Sequence, residues 1–157
     1  MQRLSNLVAL MLRAGFRATI AGSLAMFAAS LFLPFAYGAE IFGVMSGWTV
    51  LLVSFRDPVP ILTVLAYLAS PLSLLAARHR PWLAASLVAF GSLLPIWILA
   101  TEGLYINAFL RNRRILNSGC LCLLVADLLM LAAWIATGLV SGAKKACPGS
   151  PNESRRA

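Results

Sequence analysis

Apolar residues in this chain come in long runs, not in alternation. Residues 18–37, 59–77, 82–101 and 119–140 contain no Lys or Arg, and each is about the 20 residues that a helix needs to cross a bilayer. Polar strings separate them, among them Arg78-His79-Arg80-Pro81 before the third run and Arg111-Asn112-Arg113-Arg114 before the fourth. The pattern predicts an all-α protein, a membrane four-helix bundle. A fifth apolar run, residues 41–55, is too short to span comfortably; it carries Gly43, Gly47 and Trp48 and ends in Arg56-Asp57-Pro58. It is expected to be a short re-entrant or interfacial segment.

The flanks have a different character. In residues 1–17, Leu4, Leu7, Val8, Met11 and Leu12 recur at helical spacing, while Gln2, Arg3, Asn6, Arg13 and Arg17 fall on the other side. That is the pattern of an N-terminal amphipathic helix lying in the membrane interface, its basic side toward anionic lipid headgroups. A mitochondrial presequence shares these features, and Ala36-Tyr37-Gly38 offers the small residues of a secretory cleavage site, although the lead and the run after it are longer than a signal peptide needs. Residues 141–157, with Pro148, Gly149, Ser150 and Pro151, have no periodic apolar face and are expected to be a disordered tail. The organisation is thus an interfacial helix over 1–17, a four-span domain over 18–140 and a tail over 141–157.

Composition narrows the class and charge orients it. Hydrophobic types make up 61% of the 157 residues and charged types 11%, against about 45–50% and 25% in soluble domains, so a single soluble core cannot use this apolar surface. Thirteen basic residues face five acidic ones. With four spans and an internal N-terminus, Arg3, Arg13, Arg17, Arg78, Arg80, Lys144, Lys145, Arg155 and Arg156 lie inside. Arg56, Arg111, Arg113 and Arg114 then lie outside, nine against four. A fifth span would give seven against six. The excess of internal Lys and Arg favours four spans with both termini cytoplasmic.

Candidate chemistry is sparse. His79 is the single histidine, and the three cysteines, Cys120, Cys122 and Cys147, form one C-x-C and one distant thiol. Neither a metal site nor a disulfide framework follows from them, and the cysteines are read as small apolar packing residues. No phosphate-cradling or metalloprotease motif is present. No metal, no cofactor and no enzymatic activity are expected.

Asp127 stands out because it lies inside the fourth run, where an acid costs about 2.5–3.5 kcal/mol on insertion scales. No basic residue occupies any run, so an ion pair within the spans is excluded. Two readings follow: a proton relay or an ion or substrate contact, and a protonated acid hydrogen-bonded between helices. At about 1.5 Å of rise per residue, Asp127 is eight residues from Gly119, about 12 Å deep, and Tyr67 is as far from Val59. By the same rise Ser92 is about 13–14 Å from Thr101 and Ser30 about 10–11 Å from Tyr37. These four groups are expected to form one internal polar layer in which Asp127, holding its proton, bonds Tyr67 or Ser92. Pro34, Pro71 and Pro95 fall within three of the runs and leave the carbonyls of Ser30, Tyr67 and Gly91 without an amide donor. Arg111, Arg113 and Arg114 are candidate contacts for lipid or an acidic partner.

Three segments carry a resemblance: Phe32-Leu33-Pro34, Ser46-Gly47-Trp48-Thr49-Val50-Leu51-Leu52 and Ala66-Tyr67-Leu68-Ala69-Ser70-Pro71-Leu72. They are similar to a loose group of uncharacterised small four-span bacterial integral membrane proteins that share an FLP-type end of the first span, an S-G-W-x-V-L-L segment and an A-x-P-L second span. Ser70 departs from the Asn more typical before the proline, and the Arg111–Arg114 cluster lies outside the pattern. The resemblance implies a bacterial cytoplasmic membrane and no particular activity. The leading expectation is an accessory, assembly or immunity-type protein that acts by association; the alternative is a small transporter or channel component using Asp127. Expected partners are the bilayer, its anionic headgroups and a membrane protein or second copy of the chain, with no nucleic acid.

Overall fold

The computed structural model describes residues 2–38, 43–54, 60–77, 80–108 and 113–146, and within these the side chains between residues 11 and 141 apart from 12, 54 and 60. Helix α1 (Gln2–Phe32) runs for 31 residues, about 46 Å at 1.5 Å per residue. No proline interrupts it, so the boundary expected after Arg17 is not a break: the surface-type residues and the apolar run are one helix. Its end differs from the expected Tyr37. Proline removes an amide donor and drives the residue before it out of helical conformation, and the helix stops at Phe32, two residues before Pro34.

From Pro34 the chain forms a strand. β1 (Pro34–Tyr37) pairs antiparallel with β2 (Val44–Ser46), Pro34 opposite Ser46 and Tyr37 opposite Val44, with an irregularity between Pro34 and Ala36. A second hairpin joins β3 (Tyr105–Ala108) to β4 (Arg113–Leu116), Tyr105 opposite Leu116 and Ala108 opposite Arg113. The all-α expectation is corrected here. Both hairpins follow a helix stop, Pro34 in one case and Gly103 in the other, whose φ of 73° suits a residue without a Cβ. Their sequences supply the aromatic and β-branched residues Phe35, Tyr37, Val44, Tyr105, Ile106 and Ile115.

The remaining helices are α2 (Gly47–Ser54), α3 (Pro60–Tyr67), α4 (Ala69–Ala77), α5 (Pro81–Gly91), α6 (Leu93–Glu102) and α7 (Ser118–Ala146). At eight residues, α2 is about 12 Å long and too short to cross a bilayer. α3 continues into α4 through a turn at Leu68, where Leu68 N bonds Val64 O at 2.9 Å and Leu72 N bonds Leu68 O at 3.0 Å. α5 continues into α6 at Ser92 in the same way, through Ser92 N to Val88 O at 2.9 Å and Ile96 N to Ser92 O at 3.2 Å. Pro71 and Pro95 lie just beyond these interruptions. α7 does not stop at Val140 as the sequence reading has it. It extends to Ala146, and residues 141–146 include no proline to interrupt it; residues 147–157 lie outside the described residues.

Among the described residues three helical stretches are long and apolar enough to cross a membrane: Arg13–Phe32, Pro81–Glu102 and Ser118–Ser141. α1 and α7 are antiparallel, since Phe16 packs on Trp134 with ring centroids 5.9 Å apart, Ser23 bonds Ala126, and Gly119 abuts the carbonyl of Ser30. α5–α6 is antiparallel to α7 as well: Trp82 lies on Gly138, and the Cys120 thiol donates to Pro95 O at 3.3 Å. Both hairpins gather at one end, where Tyr37 N donates to Glu102 Oε2 at 3.1 Å and Asn117 N to Leu104 O at 3.0 Å. The core has one centre beneath the hairpins, around Phe35, Leu51, Tyr67, Ile98 and Leu123, and a second around Ala84, Val88, Met130 and Trp134. The described residues thus trace helix, hairpin, helix twice, and α2 is inserted in the first half alone.

Candidate functional site

Residues three apart on a helix share a face, so Tyr67, Ser70 and Ser73 form one stripe along α3–α4. All three are wholly buried. Each finds a partner on another helix, which is what a polar group enclosed by apolar side chains requires.

At the hairpin end, Ser30 Oγ on α1 and Tyr67 Oη are 2.7 Å apart. Ser30 donates its own proton to Phe27 O at 2.7 Å, so the phenol is the donor to Ser30. Phe27 and Phe35 close over the Tyr67 ring at centroid distances of 5.6 and 5.1 Å. Gly47, the first residue of α2, sits on this pair so closely that a Cβ there would collide with Tyr67 Oη and Ser30 O. α2 therefore begins at the level of Tyr67, seven residues along α3.

One turn further along, Ser70 Oγ donates to Asp127 Oδ1 on α7 at 2.5 Å. Below that, Ser73 Oγ donates to Ser70 O at 2.7 Å and accepts the Trp134 indole N–H at 2.9 Å. From α1, Ser23 Oγ donates to Ala126 O at 2.7 Å. Asp127 Oδ2 is enclosed and has no partner among the described residues.

The expected layer is therefore redistributed. Ser30 and Tyr67 do come together. Asp127 bonds neither Tyr67 nor Ser92, but Ser70. Ser92 is partly exposed at the α5–α6 junction and donates to Ala89 O of its own helix at 2.8 Å. A helical serine can always satisfy itself this way, and depth along a helix says nothing of rotation about it. Ser70, Ser73, Trp134 and Ser23 were not among the expected residues; the three-residue spacing of Tyr67, Ser70 and Ser73 within an apolar run is the signal that identifies the two serines of α4, and no such signal marks Trp134 or Ser23. Of the basic cluster, Arg113 and Arg114 lie exposed on β4, Arg114 opposite Asn107, and Arg111 is outside the described residues.

Other features are separate from Asp127. Cys120 is buried and Cys122 half-buried. Among the described residues no three His, Cys, Asp or Glu side chains converge on a point. An apolar groove of about 300 Å³ lies between α3 and the α5–α6 junction, lined by Leu62, Ala66, Phe90, Leu93 and Trp97 with one hydroxyl from Thr63. Chemically, then, the site is a ladder of hydrogen bonds from helix to helix in which one carboxyl oxygen is left over. Comparison with family models, with curated proteins and with solved structures gave no match to this chain.

Proposed function

We propose that this chain is a small multi-pass membrane protein that acts by association with another membrane protein, as an accessory, assembly or immunity-type partner. In this reading α3 and α4 together make a fourth crossing beside the three longer stretches, and the chain resides in a bacterial cytoplasmic membrane with both termini cytoplasmic. The affinity to the small four-span bacterial proteins that it resembles belongs to the same proposal.

The observation that carries it is a contrast between exposed faces. On α5–α6 and α7 the exposed side chains are large, including Trp82, Leu83, Phe90, Ile96, Trp97, Leu128 and Leu139. On α1, beside the exposed Met11, Met26 and Phe32, there is a line of Ala14, Ala18, Ala21, Ala25 and Ala28, all exposed and spaced alternately by four and three. Large side chains fill a lipid-facing surface, whereas a small-residue line lets a second helix approach closely. The inward polar groups support the same reading, since they are spent on one another between helices. The test is purification in mild detergent with mass spectrometry of the eluate. A stoichiometric membrane protein that is lost on Ala21→Leu and Ala25→Leu, with the fold retained, is the expected result; a lone homo-oligomer favours a transporter or channel component built on Asp127.

A further inference from the structure

Of the two acidic side chains among the described residues, Glu102 is partly exposed and Asp127 wholly buried. The two oxygens of Asp127 are unlike. Oδ1 accepts the Ser70 hydroxyl, while Oδ2 is enclosed without a partner. The hydroxyl protons around it are already placed: Ser70 on Oδ1, Ser73 on Ser70 O, Ser23 on Ala126 O and Tyr67 on Ser30. None of these is left for Oδ2. A carboxylate here is a buried charge with a single hydrogen bond, which proteins avoid. A carboxylic acid is uncharged, and its hydrogen on Oδ2 needs an acceptor, not a donor. Pro71 leaves the Tyr67 carbonyl, one turn before Ser70, without its amide donor.

The surroundings add a second observation. Gly91, whose carbonyl Pro95 frees in the same manner, packs so closely on Ala66 and Ala69 that a Cβ would not fit. The interruptions of α3–α4 and α5–α6 therefore lie against each other, next to the turn whose Ser70 binds the acid. Interrupted helices beside an enclosed acid are a recurrent setting for proton and ion sites.

We propose that Asp127 is a proton-binding site, taking up one exchangeable proton on Oδ2 where the two proline-interrupted passages meet α7. Titratable or charged groups on the elements packed against α7 are few. They are Tyr67 on α3, Tyr37 on β1, Glu102 at the end of α6, and Arg3, Arg13 and Arg17 of α1, six or more residues from Ser23 in sequence; α4 and α5 carry none, and α7 itself adds Cys120 and Cys122 near its start and Lys144 and Lys145 in its last turn, 17 or more residues from Asp127. The hydroxyls in the ladder are committed to their own bonds, so the site offers a proton a place and a metal cation no shell of oxygens. This inference is independent of the association reading.

The chain has just two aspartates, Asp57 and Asp127, so carboxyl-¹³C aspartate labelling of the whole protein gives an infrared spectrum with two labelled groups. Asp57, in the polar string Arg56-Asp57-Pro58, is the other labelled group, and its band is the one that remains in Asp127→Asn. At neutral pH one labelled group is expected as a carboxylic acid, shifting on transfer to D₂O and converting reversibly to carboxylate as pH is raised. Asp127→Asn should abolish that band, and Ser70→Ala should move it to higher frequency by removing the bond to Oδ1. Two carboxylates at neutral pH would overturn the proposal. An acid band indifferent to D₂O would also overturn it, since the acid would then be a static part of the fold, and so would loss of the band when sodium replaces a bulky organic cation at constant pH.

Discussion

Both halves of the chain run helix, hairpin, helix, yet their returning helices are held in different ways. In the first half α3–α4 is short, interrupted at Leu68, and flanked by α2. It contributes Tyr67, Ser70 and Ser73, and each of the three reaches out to another helix. In the second half α7 runs 29 residues without a proline; it receives two of those three bonds, at Asp127 and Trp134, and adds core side chains such as Leu123 and Met130 and close contacts at Gly119, against the carbonyls of Leu33 and Pro34, and at Gly138, against the Trp82 ring. A long regular helix has an extended apolar face to bury along its length. A short interrupted one has less apolar surface to bury, and directional bonds compensate.

That contrast can be broken from either side. The largest effect is expected at Gly47, where α2 meets the Ser30–Tyr67 pair: Gly47→Leu forces a side chain into occupied space and should cost about 3 kcal/mol or more, read as thermal unfolding in detergent. Gly22→Ala, whose nearest outside atom is Leu129 Cδ1 at 4.0 Å, should melt close to the parent.

Next comes the acid. Asp127→Ala strands the Ser70 hydroxyl and should cost about 1–3 kcal/mol. Asp127→Asn keeps an acceptor and should recover most of that loss. Equal destabilisation by the two variants would mean that the Ser70 bond contributes little and that the first half is held by packing after all.

A smaller effect is expected from Trp134→Phe, which keeps an aromatic side chain beside Phe16 but is smaller than the indole and lacks the donor to Ser73, the lost bond alone costing about 1 kcal/mol. Smallest is Ser92→Ala. Its hydroxyl serves its own helix, so the change should stay within about 0.5 kcal/mol; a larger loss would show that Ser92 belongs to the ladder.

How far the sequence discloses this arrangement depends on the kind of feature. The apolar runs over 82–101 and 119–140 announce α5–α6 and α7, because hydropathy and length are properties of the chain itself. Pro34 announces the end of α1, but the apolar strand after it reads as more helix: Phe35, Ala36 and Tyr37 are as hydrophobic as any span residue, and only the pairing with Val44–Ser46 makes them a hairpin. Asp127 is conspicuous as an acid among leucines. Its partner is not, since Ser70, Ser73, Ser86 and Ser92 look alike until the rotation of each helix fixes which hydroxyl turns outward to another helix and which turns back to its own carbonyl. The missing information is rotational, and it resides in tertiary contacts.

The pairing of α1 with α7 also sets an order of events during biosynthesis. α1 leaves the ribosome well before α7, the helix against which it packs most extensively, so Ser23 has no Ala126 carbonyl and α1 has no Gly119 against its carbonyl end until α7 is made. At about 5–20 residues per second, the chain between Phe32 and Ser118 takes on the order of 4–17 s to synthesise, and for that interval α1 waits with one face unmatched. A nascent chain arrested before α7 should therefore be a substrate for membrane quality control, and the completed chain should escape it.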